Sequence, residues 1–242
     1  MRKRYFATSG LVLVALGLAL FFASPGLALR SAIVNQLFGQ KLIRADVLEK
    51  NGDWRIDRGV ITQVSESQLT LREADGRIQA IPLSSFTRIG YRADRLTASS
   101  LAPRWRVLVT WPANGGAAQS VDVQRVPGHG TVGFGLRKAI VMQLFGQKLI
   151  RADVLEKNGD WRIDRGVVTS VDSSQVTLRE ADGRIQSIPL STFTRVAFQG
   201  RRLSVGALAS HWRVIVTWPA SGTAQSVDVE RIPHARSGQG VG

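Results

Sequence analysis

Apolar and polar residues alternate with a period of two over much of this chain, which predicts β-strands with one buried face. Two such segments, 41–50 and 53–64, lie on either side of Asn51-Gly52, a dipeptide typical of a tight hairpin turn. Pairing the segments about that turn predicts a half-buried hairpin. Its apolar face carries Ile43, Ala45, Val47, Trp54, Ile56 and Val60.

The rest of the pattern predicts more short strands. A second hairpin is expected from 69–73 and 77–83 around Ala74-Asp75-Gly76, since glycine suits the positive φ of such a turn. Further strands are predicted over 87–91, 104–111 and 118–126, with a short helical turn near 97–101. Ahead of them, apolar residues at helical spacing from Leu29 to Leu37 predict a short amphipathic helix that ends at Gly39.

The chain contains this pattern twice. At a shift of 107 residues, about 64 of the 88 positions from Gly26 to Ala113 are identical to their counterparts, and 36–60 does not differ at all. We therefore predict two tandem antiparallel β-barrel or sandwich domains of about 100 residues. Copy one covers 29–128 and copy two covers 137–234. A glycine-rich linker, 129–136, joins them, and a disordered tail is expected over 235–242. Each copy is predicted to fold alone.

The N-terminus has the layout of an export signal. Arg2, Lys3 and Arg4 precede an apolar run, and Pro25 then interrupts it before a possible cleavage site after Ala28. We expect residues 1–28 to be a signal peptide, so that the mature chain begins near Leu29. The same apolar helix is long enough to be an uncleaved membrane anchor. Either alternative predicts an extracytoplasmic location, in the envelope or secreted.

Composition narrows the chemistry. The chain has 242 residues, no cysteine and a net charge of +14. Disulfides, thiolate catalysis and cysteine zinc sites are therefore excluded. The basic excess is shared equally, because each copy carries 14 basic and 9 acidic residues. That even spread is consistent with a solvated basic surface, and it also fits attraction to polyanions.

One run carries a family resemblance. Residues 57–76, DRGVITQVSESQLTLREADG, followed by Thr87-Arg88-Ile89 and Trp105-Arg106-Val107, resemble small exported bacterial β domains of unknown function. The resemblance implies a barrel of the oligonucleotide/oligosaccharide-binding type, and it brings no known activity or site residues. Those domains usually occur as a single copy, whereas this chain has two.

Enzymatic chemistry has little support in the sequence. None of His129, His211 and His234 recurs in both copies, and no nucleophile elbow, HExxH motif or phosphate loop is present. In the predicted register Asp46 lies directly opposite Asp57. This pair and its copy could do acid–base work or hold a divalent cation, but an exposed checkerboard of Arg and Asp is the simpler explanation. The weak metal candidates are Asp46, Asp57, Asp153 and Asp164. We expect no enzyme activity, no cofactor and no metal.

The remaining expectation is a binding or scaffolding protein made of tandem β modules. The alternative is a polyanion-binding protein for wall polymer, acidic polysaccharide or nucleic acid, in which arginines line a groove beside exposed tryptophans that stack on sugars or bases. The anion-binding candidates are Arg44, Arg55, Arg58, Arg151, Arg162 and Arg165. The stacking candidates are Trp111 and Trp218, each at the end of a strand just before a proline. Core packing is the simpler explanation for the tryptophans. Oligomeric state and ligand identity are left open.

Overall fold

The structure, a computed structural model, describes residues 41–92, 94–129 and 149–233. These residues are mainly β, as the alternation predicts. Copy one contains β1 (Leu42–Glu49), β2 (Gly52–Val64), β3 (Gln68–Glu73), β4 (Ile78–Pro82), β5 (Arg88–Tyr91), β6 (Asp94–Leu96), β7 (Arg106–Pro112) and β8 (Ser120–Arg125). A single 3-10 turn, Ala98–Ser100, lies where the helical turn is predicted.

Copy two repeats this order strand for strand. Its elements are β9 (Leu149–Glu156), β10 (Gly159–Val171), β11 (Gln175–Glu180), β12 (Ile185–Pro189), β13 (Arg195–Phe198), β14 (Arg201–Leu203), β15 (Arg213–Pro219) and β16 (Ser226–Arg231), with a 3-10 turn over Val205–Ala207. The short edge strands β6 and β14 are absent from the sequence-based prediction.

The strands form one open, mixed sheet. In the described part of the chain its order is β14-β13-β16-β15-β10-β9-β1-β2-β7-β8-β5-β6, with β3–β4 and β11–β12 branching from β2 and β10. The purely antiparallel prediction is wrong, because β5 runs parallel to β8 and β13 parallel to β16. A closed barrel would need a strand ladder between β4 and β8, and the described topology has none. A backbone hydrogen bond connects the two regions, from the Ala118 amide just before β8 to the Pro82 carbonyl of β4, at 2.8 Å. The tandem barrels are therefore not confirmed.

The two copies are joined through identical strands. β1 and β9 share the sequence LIRADVLE and pair antiparallel, with Asp46 opposite Asp153 at the centre. On either side of that centre, Ala45 lies opposite Val154 and Val47 opposite Ala152. Because equivalent residues exchange places across the centre, the pairing has the local two-fold symmetry of a homodimer interface.

A shared core lies beside this pairing. Each copy has its own cluster of buried apolar side chains, and a third cluster draws on both copies. The members of this shared core are Leu42, Ala45, Val47, Ile56 and Leu108 from copy one, with Leu149, Ala152, Val154, Ile163 and Ile215 from copy two. Trp54 and Trp161 pack against it. The predicted apolar face of the first hairpin therefore packs against the other copy.

The register of the first hairpin differs from the prediction by two residues. Glu49 pairs with Gly52, so the turn contains Lys50 and Asn51, and Asp46 lies opposite Arg55. Gly52 has a φ of 128°, which fits a left-handed glycine directly after the turn. A two-residue shift keeps every side chain on its predicted face but changes its partner. Opposite charges consequently face each other, where the predicted register set two carboxylates together.

Several sequence-based expectations fall outside the described residues. These are the export signal over 1–28, the helices that precede each set of strands, the linker apart from His129, and the tail over 235–242. In the ranges that are described, no helix is long and apolar enough to cross a membrane.

β2 and β10 each need a glycine where their pairing with β3 or β11 begins. At Gly59 an added Cβ would lie 2.6 Å from the Arg72 carbonyl oxygen, and at Gly166 it would lie 2.7 Å from that of Arg179. Both neighbours are backbone atoms of the adjacent strand, so they cannot move aside without distorting the ladder. Glycine therefore permits the close approach of β3 to β2 and of β11 to β10.

The self-complementary pairing predicts how a single copy behaves. A fragment of residues 29–128 leaves the β1 edge and its half of the shared core exposed, and a second fragment can supply both. We expect the fragment to be a homodimer, paired through β1 about Asp46, in sedimentation or light-scattering measurements.

Val47→Lys should convert this fragment to a monomer or unfold it, whereas Ile78→Lys, at a position 65% exposed, should leave the dimer intact. A wild-type fragment that is folded and monomeric would show that a copy does not need this interface.

The glycine requirement is tested within copy two. Gly166→Ala should lower stability by about 2 kcal/mol, because the methyl group meets backbone, and the thermal midpoint should fall by several degrees. Gly206→Ala is the matched control, since a Cβ there meets nothing within 4 Å. Copy one already carries Ser99 at that position. Equal midpoints for the two variants would refute the requirement.

Candidate functional site

Arg44 and its counterpart Arg151 are held by acidic side chains. An Nη1 group of Arg44 donates to Glu73 and to Asp75, both at 2.7 Å. Arg151 repeats the arrangement with Glu180 at 2.5 Å and Asp182 at 2.8 Å. Each guanidinium thus faces two carboxyl groups of its own copy, and its charge is compensated inside the protein.

Arg55 and Arg162 lie over tryptophan rings. The Arg55 guanidinium carbon is 5.3 Å from the centre of the Trp111 ring, and Nε lies 3.3 Å from Asp46. In copy two, Arg162 lies 5.5 Å from the centre of the Trp218 ring and donates to Asp153 at 2.8 Å. These contacts combine a cation–π interaction with an ion pair.

Arg58 and Arg165 are buried. Arg58 is 7% exposed and donates from Nε to the Gln124 side-chain oxygen at 2.7 Å. Arg165 makes the equivalent contact with the Glu230 carboxylate, also at 2.7 Å. The structure does not present these six arginines as free side chains of one groove. Four of them face carboxylates or a tryptophan within their own copy, and two lie in the interior.

Both stacking candidates are interior residues. Trp111 is 5% exposed and Trp218 is 6% exposed, so neither ring can stack on an external sugar or base. Each indole N–H donates to a buried carboxylate, Trp111 to Asp57 and Trp218 to Asp164. The expectation that these tryptophans are exposed is wrong. Each ring is covered by an arginine and hydrogen-bonded to an aspartate, and both partners belong to the neighbouring strand, β2 or β10.

The four aspartates do not form the predicted pairs. Asp46 faces Asp153 across the junction of the copies, and each is ion-paired with an arginine of its own hairpin. Asp57 lies opposite Arg44, and Asp164 lies opposite Arg151. Over the described ranges, no group of three histidine or acidic side chains is suited to hold a metal ion.

Glu73 is a functional candidate that the sequence analysis missed. Its side chain is buried and hydrogen-bonded to Arg44, and it lies beside Asp57, whose side chain is fully buried. Burial and the Asp57 carboxyl raise the pKa of Glu73 to about 7, although Arg44 opposes the shift. In copy two the pKa of Glu180, beside Asp164, is raised to about 7 for the same reasons.

Each copy thus contains a buried carboxyl cluster: Arg44, Arg55, Asp57, Glu73 and Trp111 in copy one, and Arg151, Arg162, Asp164, Glu180 and Trp218 in copy two. One oxygen of Glu73 and one of Glu180 have no hydrogen-bond partner within the described residues. A proton on either carboxyl group of a pair would allow it to donate to the other. The only available sequence signal was the presence of this glutamate in both copies, at the end of the strand LTLRE or VTLRE.

A second arginine set lies across the strands of each copy. Val60 on β2 has Arg72 of β3 on one side and Arg106 of β7 on the other. Arg106 in turn pairs with Arg125 of β8. Copy two has the same arrangement around Val167. We call these sets the arginine rows: Arg72, Arg106 and Arg125 in copy one, and Arg179, Arg213 and Arg231 in copy two.

The arginine rows lack acidic partners. Five of the six side chains are exposed and Arg106 is half-buried. Within the part of the chain that the structure describes, none of the six forms a side-chain ion pair with a carboxylate. Like charges on neighbouring strands destabilise a sheet, so these rows place uncompensated positive charge side by side on the surface.

Two phenylalanines are also conspicuous on the surface. Phe86 is 88% exposed and Phe193 is 90% exposed, at equivalent positions of the two copies. In each case the hydroxyl of the serine two residues earlier accepts from the phenylalanine amide. Single exposed apolar side chains are common on soluble proteins, and these two do not adjoin the arginine rows in the strand order.

Searches of protein-family models, curated proteins and solved structures gave no match for this chain. The resemblance to small exported β domains therefore stays an expectation, and the geometry alone must indicate the function.

The buried carboxyl clusters predict an unusual pH dependence of stability. The pKa of Glu73 and Glu180 is raised from 4.5 to about 7 on folding, so the folded state binds more protons between these values. The contribution of these two groups to the free energy of unfolding should be greatest below about pH 4.5. It should be lost as the pH rises through 7. We expect a higher thermal midpoint at pH 5.5 than at pH 8, because the free energy of unfolding is larger at pH 5.5 by on the order of 1 kcal/mol or more per carboxyl.

Glu73→Gln with Glu180→Gln should flatten this dependence, because an amide cannot ionise. Glu66→Gln removes an exposed carboxylate and should leave the profile unchanged. A wild-type midpoint that is higher at pH 8 than at pH 5.5 would contradict the assignment.

Proposed function

We propose that this protein is a non-enzymatic, extracytoplasmic binding protein whose ligand is an anionic polymer of the cell envelope. The observation that carries the proposal is the pair of arginine rows without acidic partners. The sequence analysis gave polyanion binding as its alternative function. The arginines that we now propose for it, those of the two rows, differ from the six candidates given there. Scaffolding by the tandem modules, the other expectation, is compatible with it.

The geometry of a row suits an extended anionic chain. Neighbouring strands in a sheet are about 4.8 Å apart. Arg72, Arg106 and Arg125 therefore cover a distance on the order of 15 Å across four neighbouring strands, with Val60 of β2 between Arg72 and Arg106. Guanidinium groups bind phosphate, sulfate or carboxylate with two parallel hydrogen bonds. A polymer with regularly spaced anionic groups would relieve the repulsion between these arginines, which is worth roughly 0.2–1 kcal/mol per opposed pair.

Burial argues against catalysis by the carboxyl pairs. Asp57 and Asp164 are at most 1% exposed, and Glu73 and Glu180 are each 3% exposed. A general acid must come within hydrogen-bond distance of its substrate. Asp57 and Asp164 accept from tryptophan, and Glu73 and Glu180 accept from Arg44 and Arg151. The raised pKa values of Glu73 and Glu180 follow first from burial, which favours a structural role over a catalytic one.

The proposal predicts binding that depends on salt and on the arginine rows. The variant Arg72→Gln/Arg125→Gln/Arg231→Gln should elute from immobilised heparin at a lower salt concentration than wild type. The slope of log affinity against log salt should decrease by about one for each arginine that contacted an anionic group.

The matched control is Arg88→Gln/Arg95→Gln/Arg195→Gln, which removes the same charge from exposed arginines outside the rows. Equal elution of the two triple variants would assign binding to net charge alone. Failure of the wild type to bind heparin or polyphosphate at low salt would refute the proposal.

A further inference from the structure

A cavity of about 470 Å³ lies where the hairpin turn of copy one meets the sheet of copy two. Lys50, from the turn between β1 and β2, forms part of its wall. The other lining residues belong to β9, β10, β11 and the start of β15, together with the adjoining turns. The volume falls in the range of small-molecule sites. Lys50 is the one lining residue from copy one, so the pairing of the copies adds a cation to a cavity whose other walls belong to copy two.

Its walls are strongly basic. They carry Lys50, Arg165, Arg179 and Arg213, along with His211, against the single acidic residue Glu180. Glu180 is hydrogen-bonded to Arg151, and Arg165 to Glu230. In the described residues, Lys50, Arg179 and Arg213 have no carboxylate partner. The cavity thus presents positive charge that nothing in the described structure neutralises.

Two of these cations are placed to converge on one anion. Arg179 and Arg213 flank Val167 on the strands to either side of β10. Their Cα atoms are therefore about 10 Å apart, twice the spacing between strands. Arginine side chains are long enough to close that gap, and two guanidinium groups offer several donors to a tetrahedral oxyanion.

Backbone strain supports a functional role for this wall. His211 has a φ of 70°, and Arg104, its counterpart in copy one, has a φ of 71°. A side chain in this left-handed region is strained, whereas glycine adopts it freely. Both copies nevertheless keep a basic side-chain type at this position. Strained residues of this kind cluster at ligand sites.

We infer that this cavity binds a compact phosphate or sulfate ester, with Lys50, Arg179 and Arg213 around the anionic group and the half-buried Val167 against a sugar-sized body. The inference rests on the proposed function and deepens it, since the ester is either one unit of the anionic polymer or a free sugar phosphate. The chemistry recognised is the same in both cases.

The test is calorimetric titration of the full-length protein with glucose 6-phosphate, glucose 6-sulfate, inorganic phosphate and glucose. We expect both esters to bind, inorganic phosphate to bind more weakly, and glucose not to bind. Lys50→Gln and Arg213→Gln should each reduce ester affinity about tenfold, the effect of losing a charged hydrogen bond. Arg95→Gln, an exposed arginine outside the cavity, should have no effect.

His211→Gly separates binding from folding. Glycine relieves the left-handed strain, so this variant should raise the thermal midpoint while it weakens ester binding. A defect in folding would lower both the thermal midpoint and the ester affinity, so the direction of the midpoint change distinguishes loss of a binding contact from loss of folding.

Two further comparisons identify the source of the ester and show which of the two proposals a negative result overturns. Competition of a phosphorylated or sulfated polysaccharide with glucose 6-phosphate would show that a polymer unit enters the cavity, and its absence would assign the cavity to the free ester. If neither ester binds, or if Lys50→Gln and Arg213→Gln bind it like wild type, the inference is wrong. Salt-dependent heparin retention by the wild type would then still support the proposed function, whereas its loss would overturn both.

Discussion

The antiparallel pairing of β1 with β9 is the interaction on which the rest of this structure depends. It converts two short sheets into one and creates a core that neither copy possesses by itself. It also carries the turn containing Lys50 over the sheet of copy two, where the basic cavity forms. The pairing is possible because two antiparallel copies of the sequence LIRADVLE, aligned at their aspartates, place compatible residues opposite each other. Small apolar residues then meet larger ones on either side of Asp46 and Asp153.

That centre brings two carboxylates together, and the fold compensates for them locally. Asp46 is ion-paired with Arg55 and Asp153 with Arg162, and both aspartates are more than half exposed to solvent. Repulsion between exposed carboxylates is screened by water and reduced further by each arginine. The same two arginines lie over Trp111 and Trp218 and so link the junction to the buried carboxyl clusters. Junction and cluster are thus parts of one electrostatic network in each copy.

Local features of the fold could be predicted from the sequence, and long-range ones could not. Alternation located fourteen of the sixteen strands in the described ranges and assigned Ala45, Val47 and Ile56 to the correct face. The register failed because Asn51-Gly52 favours a turn at those two residues, whereas the observed turn uses Lys50 and Asn51 with Gly52 after it. The parallel pairing of β5 with β8 left no local pattern, since parallel strands are joined by long connections. The buried carboxyl cluster was missed for the same reason: Glu73 and Asp57 meet only after β3 pairs with β2.

The arginines show why composition could not identify the site. Arg44 and Arg72 have the same chemistry, but Arg44 faces two carboxylates while Arg72 lies beside an apolar residue with a second arginine beyond it. Which arginines remain uncompensated depends on cross-strand neighbours, and these are fixed by register. The two copies are identical over 41–60, which includes β1 and the part of β2 beneath the shared core, and they differ most at 92–100 and 199–207, by the outer edges of the sheet. A self-complementary junction explains this distribution, because a substitution in β1 or β9 must suit its own hairpin and also the strand across the two-fold centre. The edge segments meet no such double requirement, and they are free to diverge.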